Sequence, residues 1–314
     1  MTLFGRSASR AAASVLARRC SRFSPCLVSN SDVVRARSAV SSKASPPFAA
    51  VNRSFFGRAA AEPITATPSI GQALAKLAQD RPEMDVIRYH HKNFKWSFKH
   101  VEFFSDCLAT GFLDQGLAPG DVVLSWLPSH FSEQHILQFA CSKAGMILYS
   151  LDPAQAITDT EGAKASLAKA LTITEANVLV TQEAGDEVHY AQLCKEVIPE
   201  IRIFSFDCGM PFISGYYPHL RFPIHTGFEI GENYGMVPLK QMLVPSGELN
   251  NFLGGSSISG STPVCGELLI GSDGLPVKGK LLTNDEVVKD NVWPTVSSIL
   301  NKQYIEVEGV GVIF

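Results

Sequence analysis

The chain has 314 residues, 46% of them hydrophobic, with 27 basic residues, 30 acidic residues and seven cysteines. Its length allows one large domain or two lobes, and its apolar runs are too short to predict a transmembrane span. The cysteines form no Cys-x-x-Cys pair, which points to small core residues rather than zinc ligands or a redox pair.

The charge is unevenly placed. Residues 1–60 carry ten Arg and Lys against the single acid Asp32, with many Ser and Ala. Arg6 and Arg10 share a helix face, as do Arg18 and Arg22, with Leu3, Phe4, Val15 and Leu16 able to form an apolar side. An Arg-rich, Ser-rich and acid-poor start of this kind predicts a largely disordered mitochondrial transit peptide, with Arg53-Ser54-Phe55-Phe56 as a processing point. Beyond residue 60 the balance reverses to 17 basic and 29 acidic residues. An acidic body argues against nucleic-acid partners, whose binding rests on neutralising phosphates.

The body, 61–314, alternates strand and helix patterns. A linker at 61–68 leads to a helix over 69–79, a short strand pair at 86–89 and 94–97, and a helix over 98–113 with Val101, Phe104, Leu108 and Phe112 on one side. Pro119-Gly120-Asp121 turns the chain into a buried strand at 122–127. Ser132 is placed to cap a helix ending at Ala144, with Gly145 suited to a left-handed exit. Strands at 147–151, 177–181 and 201–207 then alternate with helices at 162–171 and 190–197. This order predicts an α/β fold, a mostly parallel sheet covered by helices. The pattern weakens from 208 to 263, where Gly, Ser and Asn at 247–263 predict a mobile loop. A strand at 268–270, a helix over 285–300 kinked or split by Pro294, and a last strand within 304–314 complete the chain.

Trp96-Ser97-Phe98, Gly116-Leu117-Ala118-Pro119-Gly120-Asp121-Val122, the strand running into Pro128-Ser129, Ala144-Gly145 and Leu151-Asp152-Pro153 occur in one order over some eighty residues. In that order they resemble the N-terminal lobe of the acyl-CoA synthetase branch of the acyl-adenylate-forming enzymes. These residues are scaffold in the family, setting backbone geometry at turns. Further on, Gly271-Ser272-Asp273-Gly274-Leu275-Pro276-Val277-Lys278-Gly279 leads to Leu282-Thr283-Asn284. That segment resembles the family's ATP loop, Ser-Gly-Thr-Thr-Gly-x-Pro-Lys-Gly. The resemblance makes Gly271, Ser272, Gly274, Lys278, Gly279 and Thr283 a vestigial ATP loop. Ser259-Gly260-Ser261-Thr262 resembles the motif's start but is followed by no lysine.

The loop departs from the pattern twice: Val277 displaces the lysine, and Asp273 stands where a hydroxyl residue belongs. A carboxylate about 4 Å from a phosphate oxygen costs roughly 4 kcal/mol at an effective dielectric near 20, or about a thousandfold in affinity. A shared magnesium ion would reverse that sign. No cofactor is expected, with ATP and magnesium the alternative. The remaining family motifs, an aromatic-Gly-x-Thr-Glu segment above all, have no counterpart in the thirty residues after Asn284. Tyr234-Gly235-Met236-Val237 mimics its start but precedes the loop.

His90-His91 and the pair His219 and His225 lack metal-ligand spacing, and no Gly-x-Ser-x-Gly frame is present, so no metal site and no catalytic residue is expected. The resemblance therefore implies a truncated N-terminal domain of the adenylate-forming fold. The expected function is that of an inactive, acyl-CoA-synthetase-like mitochondrial protein, in the matrix or at the matrix face of the inner membrane. It would bind protein partners as an interaction or scaffold subunit. The alternative is a ligase fragment or split enzyme whose catalytic remainder lies outside the chain.

Overall fold

The computed structural model describes residues 67–90, 93–185, 187–206, 212–227, 235–245, 247, 249–254 and 256–308. The chain divides into two units, Met1–Ala60 and Ala61–Phe314. The predicted targeting segment lies outside the described residues.

Ser69 starts α1 (Ile70–Asp80) through a reciprocal capping box with Gln72. The hairpin β1 (Asp85–Tyr89) and β2 (Phe94–Ser97) follows, then α2 (Phe98–Asp114) and β3 (Val122–Trp126). The helix α3 (Ser132–Ala144) ends at Gly145 with φ +70°, the left-handed exit that the sequence predicts. Ser132 is not its cap. It is the first helical residue, and its hydroxyl donates to the Glu133 carboxylate at 2.8 Å.

Next come β4 (Ile147–Ser150), the one-turn α4 (Gln155–Thr158), α5 (Thr160–Thr174), β5 (Val178–Thr181) and α6 (Tyr190–Val197). The predicted strand at 201–207 is absent. Pro199 starts a 3-10 turn over Pro199–Arg202, and Ile203 is left 88% exposed. The position beside β5 is filled by β6 (Phe222–His225), docked where the Arg221 and Phe222 N–H groups share the Asn177 carbonyl at 2.8 and 3.1 Å.

The remaining elements are β7 (Val237–Pro238), α7 (Leu249–Phe252), β8 (Pro263–Ile270), β9 (Pro276–Thr283), α8 (Asn284–Lys289), α9 (Pro294–Leu300) and β10 (Ile305–Val307). Pro294 opens α9, so the predicted 285–300 helix is two helices.

The main sheet has the order β7-β6-β5-β3-β4-β8-β9, parallel except for the antiparallel β8–β9 hairpin at its edge. A smaller sheet, β10-β1-β2, pairs β1 parallel to β10 and antiparallel to β2. The parallel sheet is buried on both faces, as crossover helices require. Alternate strand residues feed two cores: Val123, Leu148, Val178 and Val180 join α1, α2, α3 and α9, while Leu124 and Leu179 join α5 and α6.

Candidate functional site

The strands β3 and β4 are neighbours, yet their connections leave on opposite faces of the sheet. After β3 the chain passes Leu127-Pro128-Ser129-His130 into α3, which packs with α1, α2 and α9. After β4 it passes Leu151-Asp152-Pro153 towards α5, which packs with α6. Such a reversal at the carboxyl ends of parallel strands opens a crevice, the usual ligand position in open α/β sheets. A cavity of about 890 Å³ lies there, closed on its far side by the start of α9 and by β10.

The helix α3 supplies the crevice's polar wall and is buried along all thirteen residues, including Glu133, Gln134, His135, Gln138, Ser142 and Lys143. Buried polar groups need partners, and most of these have them. The Ser125 hydroxyl on β3 donates to Gln134 Oε1, and Gln134 Nε2 donates to Ser150 Oγ at 3.1 Å, so one amide bridges β3 and β4. His135 Nε2 lies 3.0 Å from the Ser129 carbonyl, which only accepts, so that nitrogen carries the proton. Nδ1 then accepts from the Tyr89 hydroxyl at 2.8 Å. Both ring nitrogens are spent, and burial pushes the His135 pKa down to about 4, so the imidazole is a neutral brace. Burial, reinforced by Glu133, raises the Tyr89 phenol well above its usual value.

Gln138 is one exception. Its side chain lines the cavity, is 8% exposed, and its Oε1 is buried with no hydrogen-bond partner. Around the same cavity stand Asp152, Glu267, Glu306 and Glu308, and no Lys or Arg is among its described lining residues. The walls between them are apolar, with Leu127, Leu268, Val292, Trp293 and Ile305.

The predicted ATP-loop residues lie elsewhere and are strung out. Gly271, Ser272 and Gly274 form the tip of the β8–β9 hairpin, with Gly274 at φ +76°. Lys278 and Gly279 are strand residues of β9, and Lys278 pairs across to Leu268 with its ammonium 5.8 Å from the Tyr149 ring centre. Thr283 ends β9, about 25 Å beyond the turn at the usual strand rise of ~3.3 Å per residue. Its hydroxyl caps α8 in a box with Glu286, whose carboxyl those Thr283 hydrogen bonds hold below the usual range.

The turn also uses its own donors. The Gly271 N–H donates to the Leu275 carbonyl, the Gly274 N–H to the Gly271 carbonyl, and the Leu275 N–H to Asp273 Oδ1 at 3.1 Å. An anion cradle needs N–H groups converging outward. Here a carboxylate takes one and backbone oxygens take two others, so these residues do not fit a triphosphate with its magnesium.

The competing segment, Ser259-Gly260-Ser261-Thr262, is folded onto α8. The Asn284 amide donates to the Ser259 and Thr262 carbonyls, and the Gly260 N–H donates to the Thr67 carbonyl. Of the Tyr234-to-Val237 segment only Gly235 onward is described, and Gly235 lies against the Ile201 carbonyl. His90 pairs with Glu306, His219 lies 4.0 Å from Glu175, His225 is buried at the end of β6, and His91 lies outside the described residues. Among the described residues no three His, Cys, Asp or Glu side chains are grouped to hold a metal ion. No helix there is long and apolar enough to cross a membrane. Cys107, Cys141, Cys194 and Cys265 are buried free thiols.

Gln134, His135 and Gln138 carry most of the crevice's chemistry, and sequence reasoning passed over them. The available signal was a helix with polar residues on every side between two buried strands.

Residues 74–206 match the family described as AMP-binding enzyme. Over 133 residues the chain is 28% identical to the mitochondrial medium-chain acyl-CoA ligase ACSF2 of Bos taurus, covering 42% of this chain and 20% of that protein. It is 28% identical over 153 residues to the human protein of the same name, covering 46% and 25%. The chain thus spans about a fifth to a quarter of these relatives' length. Among solved structures, the luciferase-like enzyme of the nonluminescent mealworm Zophobas morio superposes with a TM-score of 0.58 at 13% identity, over 81% of this chain and 56% of that one. The acetoacetyl-CoA synthetase of Streptomyces lividans gives 0.58 at 16% identity, over 77% and 38%. Residues 74–206 are therefore similar to AMP-binding enzymes and to acyl-CoA ligases, and the fold is the one shared with these adenylate-forming structures.

Proposed function

We propose that this protein is a catalytically inactive, acyl-CoA-synthetase-like mitochondrial protein that serves as an interaction or scaffold subunit of a larger assembly. The observation that carries this reading is the hairpin turn. Gly271, Ser272, Gly274, Lys278, Gly279 and Thr283 read as a vestigial ATP loop whose donors are spent internally and whose lysine lies along a strand. The exposed hairpin adds support. Leu269 and Ile270 are 56% and 84% exposed beside the edge strand β9, apolar surface of the kind that partners cover. The mitochondrial address rests on the Arg-rich start of the chain and on the mitochondrial ligases that it resembles. A native gel of gently solubilised mitochondria tests the assembly: the protein is expected far above its own 34.0 kDa. Migration at that mass overturns the scaffold reading.

The second reading is part of an AMP-forming fatty acid or carboxylate–CoA ligase whose catalytic remainder lies outside this chain. It is favoured by the homology to ACSF2 over a fifth of that protein's length. ATP–pyrophosphate exchange separates the two. No exchange is expected, and exchange abolished by Lys278→Ala would establish the ligase.

A further inference from the structure

We draw no further inference here: the strongest candidate, the exposed apolar surface patch of Leu269, Ile270, Val277 and Leu281 on the β8–β9 hairpin at the edge of the main sheet, carries nothing because nothing in the structure shows what covers it.

Discussion

The wall of α3 and the tip of the β8–β9 hairpin make opposite use of polar residues. On α3, polar side chains sit in a core and four of them are bonded to other elements: Gln134 to two strands, His135 to β1 and the loop after β3, Ser142 to Asn284 at 2.6 Å, Lys143 to Glu102 and Asp106. At the hairpin tip, Ser272, Asp273 and Gly274 are exposed and the turn bonds mainly to itself. The first region holds the fold together through bonds that water cannot replace. The second keeps a motif's letters without a motif's convergence. Residue identity locates chemistry only when the backbone brings the residues to one point.

The sharpest way to break that contrast is at Lys143, whose side chain is 5% exposed between Glu102 at 2.6 Å and Asp106 at 3.4 Å. Burial already pushes Glu102 upward, with Lys143 opposing. Lys143→Met leaves two carboxylates facing each other in a half-buried site, and urea unfolding should show a loss of about 3 kcal/mol.

The next effect is a pH dependence. His135 has a pKa of about 4 when folded, against about 6.5 unfolded. Between those values the unfolded chain binds the proton and the folded chain does not. Its contribution is therefore fully present above pH 6.5 and lost as pH falls towards 4, by about 3 kcal/mol. His225, also pushed down to about 4 by burial, acts in the same direction. Stability measured from pH 7 to 4.5 should fall, and His135→Gln should leave the shallower slope of His225 alone. An unchanged slope would remove His135 from the role of neutral brace.

Gly266 tests close packing between the two regions. A Cβ there would lie 2.1 Å from the Tyr149 ring, so Gly266→Ala should cost about 2 kcal/mol, and Tyr149→Leu in the same chain should recover part of it. At the hairpin the effects shrink. Thr283→Ala removes a capping box and should cost about 1 kcal/mol by thermal unfolding. Lys278→Ala should change stability by less than about 0.5 kcal/mol, since its ring contact is made by a strand lysine open to solvent. A larger effect at Lys278 than at Thr283 would restore the loop as an organised site.

Much of the fold is legible in the sequence because periodicity reports burial. The spacing of Val101, Phe104, Leu108 and Phe112 predicts α2, and Gly145 marks the end of α3. Ile201, Phe204 and Phe206 misled for the same reason. They are apolar in a strand-like pattern, yet Pro199 turns the chain and Phe204 packs on Phe206 and Phe212 in a loop cluster. The crevice was hardly legible. Asp152 and Glu267 are far apart in the chain, and nothing local says that both will border one cavity with Glu306.

The sequence by itself determined the α/β class, the element order up to α6 apart from the one-turn α4, a break in the helix at Pro294 and the resemblance that the match over 74–206 supports. These are local properties, set by propensity, turn chemistry and the period of burial. Only the tertiary structure decided that β6 replaces 201–207 beside β5, that the glycine-rich segment closes on itself, and that four carboxylates line the same cavity as Gln138. Each of those depends on which strands are neighbours, a choice made by long-range packing that no window of sequence contains.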